Sequence, residues 1–277
     1  MDGRALARRL RASLRDDVAT FVDAHGIAPR LLAFGSAADT VADTYLTLKL
    51  DAARNAGVRL DPVLLPVGCD TAGAVERVMR AAGDDAVHGI FVQYPLPGID
   101  ARACFDVIPV SKDIDGASAE SLRRLRAGAA AYPAASAAAI VALLEHGDVA
   151  LADARVFIAR GAAAIAEPLA ILLARAGADV VRTSAGAGDV ALRAALANAA
   201  VSIFPAGVPA AVQPEWLPDG AVVVDGGYFG RRRAGDDVLA AAAPRLAAYV
   251  PSRGGVGPVT VEMLLGNTLD AARAQVA

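Results

Sequence analysis

Apolar positions recur at helical spacing from residue 2 to about 24 and stop before Gly26, after which residues 31 to 34 form a short apolar run ending in Gly35. This pattern predicts a helix and then a strand. Residues 40 to 55 read as a second helix with Gly57 as its stop, followed by a strand at 63 to 67, a helix at 72 to 82 and a strand at 89 to 93. Alternation of this kind builds a parallel sheet. Pro95, Pro97 and Pro109, together with "SKDIDG", then break the rhythm, and a long irregular stretch inside a compact domain is often functional. A helix at 135 to 144 leads into a second alternation near residue 150: strand 154 to 158, helix 163 to 176, strand 179 to 182, helix 188 to 199, and strands at 201 to 204 and 221 to 225. That is the rhythm of a Rossmann-like nucleotide fold. A last helix, 259 to 275, can fold back over the first domain. The expected fold class is α/β, with two α/β domains at 1–148 plus 255–277 and at 149–254.

Composition narrows the partners. With 277 residues, 55% of them hydrophobic, the chain can bury substantial cores. A net charge of −3 provides no broad cationic field for nucleic acid or an anionic membrane. The charged start lacks the apolar core of a signal peptide, and no stretch of about 18 apolar residues follows, so a soluble cytoplasmic protein is expected. Cys69 and Cys104 show neither metal spacing nor a disulfide framework and read as apolar fillers. His25, His88 and His146 form no ligand arrangement, so no metal is expected.

The candidate chemistry starts from Lys49, because only two of the 27 lysines and arginines are lysine, Lys49 and Lys112. Arginine stays charged at any workable pH, whereas an ammonium group can lose its proton when partly buried. Tyr45 lies four residues earlier on the same predicted helix, which puts both side chains on one face. The alternative is a packed tyrosine and a lysine reaching outward. Gln93 ends an apolar strand, at the edge where open α/β sheets bind ligands, and its amide both donates and accepts; a buried amide serving loop backbone is the other reading. Asp113 and Asp115 lie in the loop "KDIDG", where a carboxylate can accept two parallel N–H bonds from an amidine-like edge or simply build a turn. In "PSRGGVGP", three glycines permit close backbone approach to a ligand, or a plain turn.

Taken in order and at their intervals, "YLTLK", "VQYPLP", "KDIDG" and "RGGVGPVTVEMLLGNT" resemble segments of the bifunctional methylenetetrahydrofolate dehydrogenase/methenyltetrahydrofolate cyclohydrolase family. The likeness spans nearly the whole chain. It implies that Lys49 is the catalytic lysine, that Tyr45 stacks on the folate, that Gln93 tunes Lys49 and that Asp115 anchors the pterin. Further folate contacts are implied at Val92, Pro95, Leu96, Pro97, Gly255, Pro258 and Thr260. It also implies a folate-side first domain completed by the C-terminal helix, an active site in the cleft between the domains, NADP as cofactor and a homodimer. On the cofactor side the implied residues are Arg160, Gly161, Ala162, Pro168, Ala206, Gly207, Asp225 and Gly227. Arg160 there pairs with a 2′-phosphate or is a solvated loop charge.

The nucleotide loop departs from the family pattern. It reads "ARGAAAIAEP", with Ala159, Gly161 and Ala166 in place of glycine, serine and glycine, and Glu167 adds a negative charge. A methyl group where pyrophosphate meets backbone is a steric obstacle. "RTSAGAG" replaces the family's His-Ser segment, "YPAAS" its Pro-Cys-Thr-Pro stretch, and Arg253 a proline; Arg231 to Arg233 read as an exposed turn. The bifunctional enzyme is the leading expectation. Its rivals are a cyclohydrolase alone, a dehydrogenase using NAD, and a folate-binding regulator without catalysis.

Overall fold

The computed structural model describes residues 1–36, 40–159, 163–182, 188–209, 211–227 and 234–277, without the side chains of 40–45 and 234–237. The chain forms two compact units, one of Arg8–Ala135 with Val261–Ala277 and the other of Met1–Ala7 with Ser136–Thr260. Residues 1–7, 136–148 and 255–260, read in the sequence as part of the first domain, belong here to the second unit.

The unit of Arg8–Ala135 with Val261–Ala277 is organised by a three-stranded parallel sheet in which β1 (Arg30–Ser36) lies between β2 (Arg59–Leu65) and β3 (Gly89–Val92). Every interior residue of β1 is buried, as expected of a parallel strand covered on both faces. Leu31 and Ala33 pack with α1 (Gly3–His25), α2 (Thr40–Ala56) and the C-terminal helix α10 (Val256–Val276) through Leu14, Val18, Ala52, Ala56, Leu264 and Leu265. Leu32 and Phe34 pack on the other side with α3 (Thr71–Ala82) and α4 (Ala101–Phe105), through Ala74, Val78 and Cys104. The C-terminal helix thus folds back onto this unit from Val261 onward.

The strand expected at 63 to 67 is instead β2, beginning four residues earlier and ending at Leu65. Its first half contains Asp61 and Pro62, and β2 is a sheet edge, where proline costs no ladder bond. Asp61 accepts from Arg30 Nε at 2.8 Å and from Arg59 Nε at 3.1 Å. The irregular stretch after residue 94 also contains α4, capped by Asp100 accepting from the Arg102 amide at 2.9 Å. It is followed by α5 (Ala119–Arg126), capped by Ser118 accepting from the Ser121 amide.

The other unit carries a five-stranded parallel sheet of order β5 (Asp179–Arg182), β4 (Arg155–Ile158), β6 (Val201–Phe204), β7 (Val222–Asp225) and β8 (Ala248–Val250). β6 and β7 are buried throughout, and Phe157 and Phe204 meet at 6.3 Å in the core beneath them. The helices are α6 (Ala135–His146), α7 (Ala163–Arg175), α8 (Asp189–Ala197) and α9 (Ala234–Ala242). α9 and β8 carry no strong period and have no counterpart among the sequence expectations. Among the described residues no helix is long and apolar enough to cross a membrane.

Candidate active site

Lys49 sits on α2 in the unit of β1–β3 and is buried to 7% exposure. Its Nζ donates to Gln93 Oε1 at 2.6 Å and lies 4.5 Å from the Phe91 ring centroid. Gln93 continues from the end of β3, its amide donating to the Phe34 carbonyl at 2.8 Å. Its side-chain Nε2 donates to the Tyr94 carbonyl at 3.2 Å, which turns Oε1 toward the lysine. Burial lowers the Lys49 pKa from 10.5 to about 8, against the opposing pull of Asp115. Ser36, Leu46, Leu64 and Phe91 line a recess that reaches Lys49 and Gln93.

Asp115 is delivered by a loop pinned at several points. The Ile90 amide donates to the Lys112 carbonyl at 2.8 Å, and a single bridge pairs Ile90 with Asp113, so the loop runs beside β3 like a further strand. The Lys112 ammonium is buried and donates to the carbonyls of Ala82 and Asp84, at 2.9 and 2.8 Å, where α3 ends. Asn267 Nδ2 of α10 donates to the Ile114 carbonyl at 2.7 Å. At Gly116, φ is +59° and a Cβ would stand 2.3 Å from the Tyr132 carbonyl oxygen, so only glycine fits.

Within this loop the two aspartates divide their tasks. Asp113 is buried and accepts from the amides of Ala117 and Ser118 and from Ser121 Oγ at 2.6 Å, which makes it a turn-builder. Asp115 accepts from the Ala135 amide at the start of α6 at 3.3 Å and keeps part of its surface open. Burial, reinforced by Asp113, raises its pKa to about 7, while the Ala135 N–H and Lys49 pull it down. Lys49, Gln93 and Asp115 are thus brought into one buried polar group; the Tyr45 side chain lies outside the described residues. Lys112 and Asn267 are the supports that sequence reasoning missed. The rarity of lysine was the available signal for the first, and the second is next to last in the quoted segment "RGGVGPVTVEMLLGNT", which carried the resemblance without assigning it a role.

Of the remaining folate-side candidates, Val92 and Leu96 are core residues, so a ligand would meet their backbone, while Pro95 and Pro97 are exposed. Gly255, Pro258 and Thr260 belong to the other unit. A Cβ at Gly255 would stand 2.2 Å from the Pro251 carbonyl oxygen, so its glycine is required by packing within the turn. The Thr260 hydroxyl donates to the Val256 carbonyl one helical turn back at 3.1 Å.

In the five-stranded sheet, the chain's crossovers diverge at the carboxyl ends of β4 and β6, the place where open α/β sheets take nucleotides. Ala159 follows β4, Pro205, Ala206 and Gly207 follow β6, and Asp225, which ends β7, accepts from the Gly227 amide at 2.9 Å. A Cβ at Gly226 would crowd Pro205 at 3.3 Å. Small residues therefore leave backbone available along this edge, which fits a dinucleotide. Pro168 is buried within α7. Arg160, Gly161 and Ala162, and the turn expected at Arg231 to Arg233, lie outside the described residues.

Residues 1–115 match the sequence model of the tetrahydrofolate dehydrogenase/cyclohydrolase catalytic domain, and residues 134–276 that of the NAD(P)-binding domain of the same family. The chain is 35% identical over 273 residues to bifunctional protein FolD 1 of Salinispora arenicola, covering 98% of this chain and 97% of that protein. It is 34% identical to bifunctional protein FolD of Alcanivorax borkumensis, over 98% of this chain and 96% of the relative. Among solved structures, Trypanosoma brucei methylenetetrahydrofolate dehydrogenase-cyclohydrolase, complexed with NADP cofactor and inhibitor, superposes with a TM-score of 0.90 at 30% identity, covering 100% of this chain and 97% of that one.

Proposed function

The chain belongs to the tetrahydrofolate dehydrogenase/cyclohydrolase family, and we propose that it interconverts 5,10-methylene-, 5,10-methenyl- and 10-formyltetrahydrofolate in one-carbon metabolism, as NADP-dependent dehydrogenase and cyclohydrolase. The observation that carries this reading is Lys49, a buried amine that donates to Gln93 and whose pKa burial lowers to about 8 within the field of Asp115. NADP, when bound, supplies the hydride acceptor for oxidation of the methylene carbon. Pro168, Ala206, Gly207, Asp225 and Gly227, with Arg160, Gly161 and Ala162, are the residues that would hold it.

The hydrolytic half uses this chain's own groups. Water attack on the methenyl carbon releases a proton, and neutral Lys49 Nζ takes it up as the ring opens to the formyl product. Gln93 holds that nitrogen in place by accepting one of its N–H bonds in either protonation state. Asp115, ionised above about pH 7, accepts the paired N–H groups of the pterin's amidine edge, and Tyr45 stacks on the folate. Residues 1–148 with 255–277 serve the folate and 149–254 the dinucleotide. The same reading takes the protein as a cytoplasmic homodimer acting without nucleic acid or membrane, so sedimentation should return the mass of two chains.

A second reading is favoured by Ala159, a buried residue at the carboxyl end of β4 where the family pattern carries glycine: cyclohydrolase activity without the dehydrogenase. Two assays separate them. Loss of methenyltetrahydrofolate absorbance, together with NADP reduction on methylenetetrahydrofolate, is the expected result. Loss of absorbance without NADP reduction supports the second reading, and no turnover in either assay defeats both.

A further inference from the structure

Lys49 and Asp113 are held by side-chain hydrogen bonds of 2.6 to 3.0 Å, whereas the Ala135 amide reaches Asp115 at 3.3 Å, beyond the usual range of an N–H···O bond. The direction of the Asp115 carboxylate therefore depends on the backbone that carries it. One side chain fixes that backbone. Asn267 Nδ2 donates to the Ile114 carbonyl at 2.7 Å, and this oxygen belongs to the planar peptide unit that joins Ile114 to Asp115. Pinning the oxygen fixes the plane from which the Asp115 Cα departs. The donor itself arrives on a rigid support, because α10 lies close against β3: a Cβ at Gly89 would stand 3.0 Å from Ile114 Cγ2 and 3.3 Å from Thr268 Oγ1. Ile114 and Thr268 are fully buried, and the Thr268 hydroxyl donates to the Leu264 carbonyl at 2.8 Å. Asparagine is a poor helix former, so its place in the interior of the 21-residue α10 calls for a task that the helix itself does not supply.

We propose that Asn267 is a positioning residue for the pterin anchor: by holding the Ile114–Asp115 peptide in plane, it sets the direction in which the Asp115 carboxylate meets the substrate. The inference rests on the folate reading above. Asn267 acts through Asp115 and touches no reacting atom, so its loss displaces the anchor and leaves the Lys49 amine in place on Gln93. Substrate is then held less tightly, but once bound it is hydrolysed at nearly the same rate. A bond that merely tied α10 to the sheet would behave otherwise. Its loss would loosen the whole unit, Lys49 included, and lower turnover and stability together.

The test is the steady-state cyclohydrolase reaction on methenyltetrahydrofolate with wild type, Asn267→Leu and Asn267→Ala, each with its urea midpoint. Leucine keeps the size and branching of the side chain without the donor; alanine adds no volume and carries the comparison should the leucine variant fail to fold. KM is expected to rise about tenfold, the scale of a lost buried hydrogen bond, while kcat stays within about twofold of wild type. An unchanged KM overturns the proposal and leaves the folate reading standing. A fall in kcat as large as the rise in KM, accompanied by a lowered urea midpoint, also overturns it, since that is the mark of a purely structural tie. A wild-type protein that does not turn over methenyltetrahydrofolate defeats the folate reading itself, and this inference with it.

Discussion

At the scale of single residues, Lys49 carries the sharpest expectations. An arginine in its place keeps the positive charge but cannot act as base near neutral pH, so Lys49→Arg should lower cyclohydrolase kcat by about 100-fold or more, read as the decay of methenyltetrahydrofolate. Wild-type turnover should climb as pH passes from 7 to 9, because the amine becomes competent above about 8, and this limb should vanish in Lys49→Met. Stability moves with the same group. Its folded pKa lies below the unfolded 10.5, so between about 8 and 10.5 the unfolded chain holds the extra proton. Stability therefore rises with pH across that window, and the cost of burying the ammonium is fully present below it. Lys49→Met should be at least as stable as wild type in urea at pH 7 and should lose that rise. Asp115 runs the other way: its raised value makes the folded chain hold the extra proton from 3.8 to about 7, and its contribution fades as pH climbs through that interval.

At the scale of elements, the loop from Pro109 to Ser118 decides where Asp115 stands. Lys112→Met would leave the carbonyls of Ala82 and Asp84 without their buried donor, a loss of ~1–3 kcal/mol. The urea midpoint should fall and folate affinity with it, although the Lys112 ammonium touches the end of α3 and not the substrate. Gly116→Ala forces a methyl group onto the Tyr132 carbonyl at a left-handed backbone position and should cost more than ~2 kcal/mol by the same measurement. The residue pattern singled out this loop without separating its two aspartates, since both are polar residues two positions apart in one turn, and only the family resemblance pointed to Asp115. The distinction lies in the amides of Ala117 and Ser118, which converge on Asp113 just ahead of α5 and are not visible in the residue pattern. Helices and strands with a clean period, such as β5 and β6, were legible to the residue. β2 was not, because an edge strand tolerates Asp61 and Pro62 where a central one would refuse them. α4 was hidden because five residues are too few to establish a helical period.

At the scale of the whole molecule, the two runs of alternating elements announced two parallel sheets, and the helix at the end announced its return to the first. The limits of the compact units were less legible, because they fall inside helices where composition does not change. Mass action supplies a test at this scale. NADP at a hundred times its Kd should raise the free energy of unfolding by ~2.7 kcal/mol, followed as the shift in thermal midpoint, whereas a protein that has lost the dinucleotide should show none.

The unit of Met1–Ala7 with Ser136–Thr260 changes to its neighbour within α1, after Ala7, and again within α10, after Thr260. Scission at those points would therefore cut two helices instead of two linkers. An excised 136–260 fragment should accordingly be recovered as a protease-sensitive, poorly folded polypeptide.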